Sequence, residues 1–275
     1  MYGLLRSINQ RAYRIFEKMS HFILVHGACH GSWCWFKLKP ALEAAGHRVT
    51  SLDLAASGVD SSKIQEVRTL REYSKPLLDL LNALPSGECK VVLVGHSLGG
   101  LNLALAMDTC PSKIAAAVFV TAFMPDTSHS PAYIFEQHYE KLSASFWMDT
   151  DFRPYSELDS HMIAMRFGPN FLQHMCQSCS AQDLELEKCL VRHGSLFLHD
   201  LKKMENFSEE RYGRVPRIFI LCDEDRAIPL QIQLKMIENY PSVEVKEMKG
   251  ADHMPMFSQP EKLCQFLCGV AKDYA

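Results

Sequence analysis

A serine stands among three glycines at Gly95-His96-Ser97-Leu98-Gly99-Gly100, directly after the apolar run Val91–Val94. A serine hydroxyl is a poor nucleophile at neutral pH. It attacks an acyl carbon only beside a base that an acid orients in turn. The G-x-S-x-G spacing, preceded by a strand-like run and followed by a helix-like one, reads as a nucleophile elbow, a sharp strained turn that lifts the hydroxyl clear of a sheet. Gly95 and Gly99 spare that turn side chains that would clash, and Gly100 allows the helix to pack close. On such an elbow the chain order is serine, then Asp or Glu, then His.

The acid should follow a late strand. The run Arg217–Cys222 is followed by Asp223, Glu224 and Asp225, and the residues alone leave the choice among them open. The base should lie on a loop after the last strand. His253, in KGADHMPM, is the one histidine downstream of that acidic cluster. His96 and Asp252 adjoin Ser97 and His253, so the backbone aims them elsewhere and they are expected to be structural. A developing oxyanion needs preorganised N–H donors. Leu98, after the nucleophile, and Ala28, in the loop Gly27-Ala28-Cys29-His30-Gly31, are the candidates. This is acyl-transfer chemistry and calls for no cofactor.

Apolar runs that would position these residues recur at His21–His26, His47–Leu54, Lys90–Gly95, Ala115–Phe123, Arg217–Cys222 and Val243–Met248. Most are continuous rather than alternating, as expected of parallel strands buried on both faces. Helical periodicity falls between them, over Trp35–Ala45, Leu70–Leu81, Leu98–Met107, Leu230–Ile237 and Gln259–Ala271. The alternation predicts an α/β fold with a mostly parallel, doubly wound sheet. It stops between Pro125 and Arg214, where helices and loops rich in aromatics and methionine are expected. The predicted organisation is an N-terminal extension without fixed structure (1–20), a core (21–125 and 214–275) and an inserted helical lid (126–213).

The 275 residues are 47% hydrophobic and 22% charged, with a formal net charge of -3. That is an ordinary globular composition. No basic stripe suggests a nucleic-acid partner, and the longest apolar stretch, Ile114–Met124, is too short to span a membrane as a helix. Ten cysteines are too dilute for a disulfide framework, and the N-terminus lacks the apolar core of a secretory signal, so a reducing cytoplasm is expected. Cys176 and Cys179 form a C-x-x-C with no matching second pair, so two packed thiols are expected rather than a metal or redox site. Residues 1–20 carry Arg6, Arg11, Arg14 and Lys18 but little serine, and read as an extension rather than a transit peptide. A homodimer is compatible with the sequence, since dimer surfaces leave no readable motif.

With these residues in hand, the chain resembles the plant methylesterase branch of the α/β-hydrolase superfamily. That branch includes methyl salicylate, methyl jasmonate and alkaloid-pathway esterases and the hydroxynitrile lyases. The carriers are HGACHGSWCWFKLKP (His26–Pro40), AAGHRVTSLDLAASG (Ala44–Gly58), VGHSLGG (Val94–Gly100), FMPD (Phe123–Asp126) and KGADHMPM (Lys249–Met256). The likeness runs from about residue 20 to the C-terminus and implies an α/β-hydrolase fold. The family's C-x-E-D-x-x-I-P segment falls on Cys222–Pro229 and implies Asp225 as the acid. Its ligand pocket implies Ala28, His30, Phe123, Trp147, Phe152, Met165, Phe167, Leu196 and Met254. His138 stands where salicylate-type members carry tyrosine. The lyases keep threonine, cysteine and lysine where this chain has Gly27, Leu98 and Met254, which argues against cyanohydrin cleavage. The resemblance therefore implies hydrolysis of methyl esters of small acids such as salicylate, jasmonate or indole-3-acetate. A ligand-sensing homologue is the reading from another class.

Overall fold

A computed structural model describes residues 19–85, 90–137, 139 and 142–275. The extension expected over 1–20 therefore lies almost wholly outside the described residues, as does His138. All six expected strands form, with ends shifted by no more than two residues: β1 (His21–Val25), β2 (Arg48–Leu52), β3 (Val91–Ser97), β4 (Ile114–Ala122), β7 (Arg217–Cys222) and β8 (Glu244–Met248). They make one sheet in the order β2-β1-β3-β4-β7-β8. Every pairing in it is parallel. Burial follows position in that order. The inner strands β1, β4 and β7 are buried at every residue, whereas the edge strand β8 alternates. Helices cover both faces, which is why the inner strands read as unbroken apolar runs.

The main core helices are α1 (Leu38–Ala44), α2 (Lys75–Ala83), α3 (Gly99–Thr109), α6 (Leu230–Asn239) and α7 (Pro260–Tyr274). The periodicity over Leu70–Leu81 is broken into Leu70–Tyr73 and α2. Pro76 has no N–H for the fourth carbonyl back. Ser74 fills the break, its hydroxyl donating to the Leu70 carbonyl at 2.7 Å and accepting from Asn102 Nδ2 at 2.7 Å.

Between β4 and β7 the chain forms α4 (Pro169–Met175), α5 (Ala181–Leu190) and several shorter turns of helix. It also forms an antiparallel pair, β5 (Asp151–Pro154) with β6 (Ile163–Arg166), where helices and loops alone were expected. Four-residue strands are too short to carry a period-two signal. The pair extends through a bridge between Met165 and Gly194, whose N–H groups donate to each other's carbonyls at 2.8 Å. Gly194 in turn lies against the loop after β1, where an added Cβ would stand 2.9 Å from the Cys29 nitrogen. Among the described residues no helix is long and apolar enough to cross a membrane.

Two helical glycines separate close approach from mere propensity. A Cβ on Gly100 would lie 2.2 Å from the Phe123 carbonyl oxygen, whereas one on Gly269 meets nothing within 4 Å. Gly269→Ala should therefore stabilise by about 0.5–1 kcal/mol through helix propensity. Gly100→Ala should instead destabilise by about 2 kcal/mol or more, because the overlap with backbone outweighs that gain. Urea unfolding midpoints of the two variants test both signs.

Candidate active site

β3 delivers Ser97 to the C-terminal end of the sheet and α3 begins two residues later. Ser97 has φ +53°, in the left-handed region. The turn closes only because neighbouring positions lack side chains. A Cβ on Gly99 would stand 2.7 Å from the His26 carbonyl oxygen, and one on Gly27 would stand 2.8 Å from the Ser97 Cβ. Cys29 (φ +65°) and Thr121 (φ +36°) are held in the same region at the ends of β1 and β4. Backbone strain thus collects at this end of the sheet.

Asp225 follows β7 and is 5% exposed. Its Oδ2 accepts from His253 Nδ1 at 2.7 Å and from the Thr121 hydroxyl. Its Oδ1 accepts from the N–H groups of Ala227 at 2.7 Å and Ile228 at 2.8 Å. Four donors offset the cost of burying this charge. Because a carboxylate oxygen accepts, Nδ1 of His253 is the donor in this bond and Nε2 is the ring nitrogen left without it. Of the other two acids, Asp223 accepts from the Gly250 N–H at 2.7 Å, and Glu224 offers its backbone carbonyl to Gln177.

His96 was expected to be structural, and its task can be named. Its Nε2 donates to the His253 carbonyl at 2.7 Å, fixing the loop that carries the base. Burial holds His96 well below the ordinary histidine value, so its ring is neutral. Asp252 likewise turns from the His253 ring. Its carboxylate accepts from the N–H groups of Ser178 (2.9 Å) and Met254 (3.1 Å) and from the Ser258 hydroxyl (2.7 Å).

The loop after β1 is locked by two histidines. His26 accepts from the Leu54 N–H at Nε2 (3.1 Å), so its proton is on Nδ1, which donates to the Gly27 carbonyl at 2.8 Å. That carbonyl belongs to the same peptide plane as the Ala28 N–H, so the bond fixes the direction of this donor. His30 Nδ1 donates to the Ala28 carbonyl at 2.8 Å, and its Nε2 meets Glu187 at 2.9 Å. Glu187 is fully buried, with Oε2 unpartnered. Sequence reasoning missed Thr121, His26 as a positioning group and Glu187, because none stands in a motif that marks its contact.

A family model described as "Alpha/beta hydrolase family" matches residues 22–266. The chain belongs to this family. It is 53% identical to "Salicylic acid-binding protein 2" of Nicotiana tabacum over 255 residues, 92% of this chain and 98% of that protein. It is 51% identical to "Methylesterase 1" of Arabidopsis thaliana over 260 residues, 94% of this chain and 98% of that one. The crystal structure of polyneuridine aldehyde esterase superposes with a TM-score of 0.88 at 47% identity, covering 92% of this chain and 99% of that one. Its near relatives thus place this hydrolase among the plant methylesterases.

In this hydrolase Ser97, His253, Ala28 and Leu98 face one small cavity. Of the residues expected in a ligand pocket, Phe123, Trp147, Met165, Phe167 and Leu196 line it with Ala28. Three do not. His30 is committed to Ala28 and Glu187 and stacks on Trp33, with ring centroids 5.2 Å apart. Met254 is fully buried, away from the cavity wall. Phe152 is 43% exposed and lines a neighbouring apolar cavity, its ring edge-on to Trp147 at 5.5 Å. The wall instead gains Phe135, Tyr139, Phe171, Met175, Ala227 and Ile228. Phe135, Tyr139, Phe171 and Met175 carried only the generic aromatic and methionine signal of the segment between β4 and β7, whereas Ala227 and Ile228 stand in Cys222–Pro229.

Cys176 and Cys179 are joined by a disulfide rather than packed as thiols. With Asp252 they form the one cluster of metal-type ligands among the described residues. They do not fit a cation as they stand, because the sulfurs are bonded to each other and both Asp252 oxygens already have donors.

Burial pushes His21 and His26 down to about 4 from an ordinary 6.5, and holds His96 well below that ordinary value. These groups are neutral when folded and bind protons on unfolding below pH 6.5. Their contribution to stability is complete above pH 6.5 and is lost as pH falls toward 4. Thermal melts should show Tm falling steadily from pH 6.5 to 4.5, and a flat Tm over that window would contradict the assignment.

Proposed function

We propose that this hydrolase cleaves methyl esters of small carboxylic acids by acyl transfer through Ser97. The observation that carries the reading is Ser97 on a left-handed elbow, facing an apolar cavity. It shares that cavity with a histidine whose other ring nitrogen is bonded to a buried aspartate. His253 Nε2 takes the Ser97 proton as Oγ bonds to the ester carbon. The Ala28 and Leu98 N–H groups receive the oxyanion, and Asp225 stabilises the imidazolium. The tetrahedral intermediate collapses, and methanol departs with the proton from His253. Water then adds to the acyl-enzyme by the same route and frees the acid.

The cavity wall selects the acyl group. Trp147, Phe167 and Phe171 pack together, with Trp147 and Phe171 centroids 5.7 Å apart and Phe167 and Phe171 4.9 Å apart. Met165 and Met175 supply flexible thioethers. Such a wall suits flat or cyclic apolar acids and offers no partner to a sugar or phosphate. Salicylate, jasmonate and indole-3-acetate esters fit this description, and the likeness to salicylic acid-binding protein 2 favours the first. Cyanohydrin cleavage is not favoured, because Gly27 and Met254 stand where the lyases keep threonine and lysine, and a thioether supplies no cation to departing cyanide.

Ser97→Ala should lower turnover by roughly 10⁴-fold or more, since triad members act as a unit. Asp225→Asn should be severely impaired and Asp223→Asn only mildly; the reverse order would sink the acid assignment. Specificity constants for methyl salicylate, methyl jasmonate, a long-chain methyl ester and p-nitrophenyl acetate test the wall. The long-chain ester should be poorest, and Trp147→Ala should flatten the ranking while sparing the acetate. An unchanged ranking in that variant would mean that Trp147 does not select.

A further inference from the structure

We infer that the Cys176–Cys179 pair is a thiol–disulfide exchange site whose oxidised state holds the catalytic loops in working order. The inference rests on the esterase reading for its kinetic readout. Its warrant is the number of contacts that the C-x-x-C turn makes with those loops. Met175, which lines the catalytic cavity, accepts the His253 N–H at its carbonyl, 3.2 Å away. Gln177 Nε2 donates to the Glu224 carbonyl at 2.7 Å, beside the acid Asp225. The Ser178 N–H donates to Asp252 at 2.9 Å, beside His253. Three positions inside or next to the four-residue ring therefore bind the acid loop once and the base loop twice. The disulfide closes that ring.

The site is also open to a reductant. Cys176 is buried, but Cys179 is partly exposed, and both line a surface cleft with His174, Gln177 and Arg226. The Arg226 cation in that cleft favours an approaching thiolate. The partner chemistry is a dithiol. One of its thiolates attacks Cys179 Sγ, the Sγ–Sγ bond breaks, and the electron pair leaves on Cys176, which takes up a proton. The second reductant thiol then attacks the mixed disulfide and releases Cys179. The protein gains two electrons and two protons, and the dithiol departs as its own disulfide.

Opening changes the contacts as well as the constraint. Cys179 Sγ lies 3.5 Å from Asp252 Oδ2. In the disulfide it has no proton to give. As a thiol it becomes a donor to that carboxylate and competes with the Ser178 N–H, loosening the base loop. Small displacements at a base cost much more in rate than in stability.

The test is a titration of the full chain across mixtures of reduced and oxidised dithiothreitol. The Cys176–Cys179 link is followed by alkylation and peptide mass, and turnover by methyl salicylate hydrolysis. Opening the link should lower kcat/KM by roughly tenfold, with both signals sharing one midpoint. A Cys176→Ser/Cys179→Ser variant should sit at the reduced level and ignore the mixture, while Cys189→Ser, at an exposed free thiol, should respond as wild type does. Unchanged turnover with the link demonstrably open, absence of the link under oxidising conditions, or a reductant response surviving in the double variant would each overturn the inference. The wild-type titration stands even if the double variant does not fold. If no ester is turned over in either state, the esterase reading fails. The exchange site is then judged by the proton resonance of His253 Nδ1, which should shift on reduction and would refute the inference by staying still.

Discussion

A carboxylate buried at the C-terminal end of a parallel sheet must be surrounded by donors or not be charged. Asp225 is so surrounded, and its four donors come from different parts of the chain. Thr121 stands at the end of β4, Ala227 and Ile228 on the acid's own loop, and His253 on the loop after β8. The strain at Thr121 and the turn after β7 are both conditions for that convergence. With the carboxylate in place, the His253 tautomer is fixed, and with the tautomer fixed Nε2 is free to serve the elbow. His96 then completes the arrangement by holding the His253 backbone from β3.

The oxyanion side obeys the same logic with different groups. Here a neutral histidine, His26, rather than a carboxylate fixes the peptide plane. Burial, which would be costly for a charged ring, keeps His26 in the one form that can both accept from Leu54 and donate to Gly27. His30 pairs with Glu187 across the interface with α5. The segment between β4 and β7 therefore reaches the loop after β1 by two routes, through Glu187 and through Cys29, whose carbonyl accepts the Arg192 N–H at 2.9 Å and whose thiol donates to the Met165 carbonyl at 3.3 Å.

What was legible in the sequence follows from the range of each signal. The strands, the elbow and His253 rest on local periodicity and on chain order, which a sequence displays directly. The choice of Asp225 over Asp223 and Glu224 is a matter of which side chain turns inward, and local spacing left it open until the family pattern was considered. Phe152 and Met254 were placed in the pocket by motif. They lie elsewhere because a residue's facing depends on strand pairing and loop packing rather than on its type. The β5–β6 pair and the Cys176–Cys179 bond are long-range or covalent facts with no periodic trace.

Turnover of a p-nitrophenyl ester of a small aromatic acid, quenched in acid within the first cycle and mapped by peptide mass, tests whether chemistry passes through a covalent intermediate on Ser97. The expected result is an acyl group on the peptide containing Ser97 and nowhere else. An acyl group on another residue, or product formation with no acylated peptide under conditions where the burst of p-nitrophenol equals the enzyme present, would contradict it.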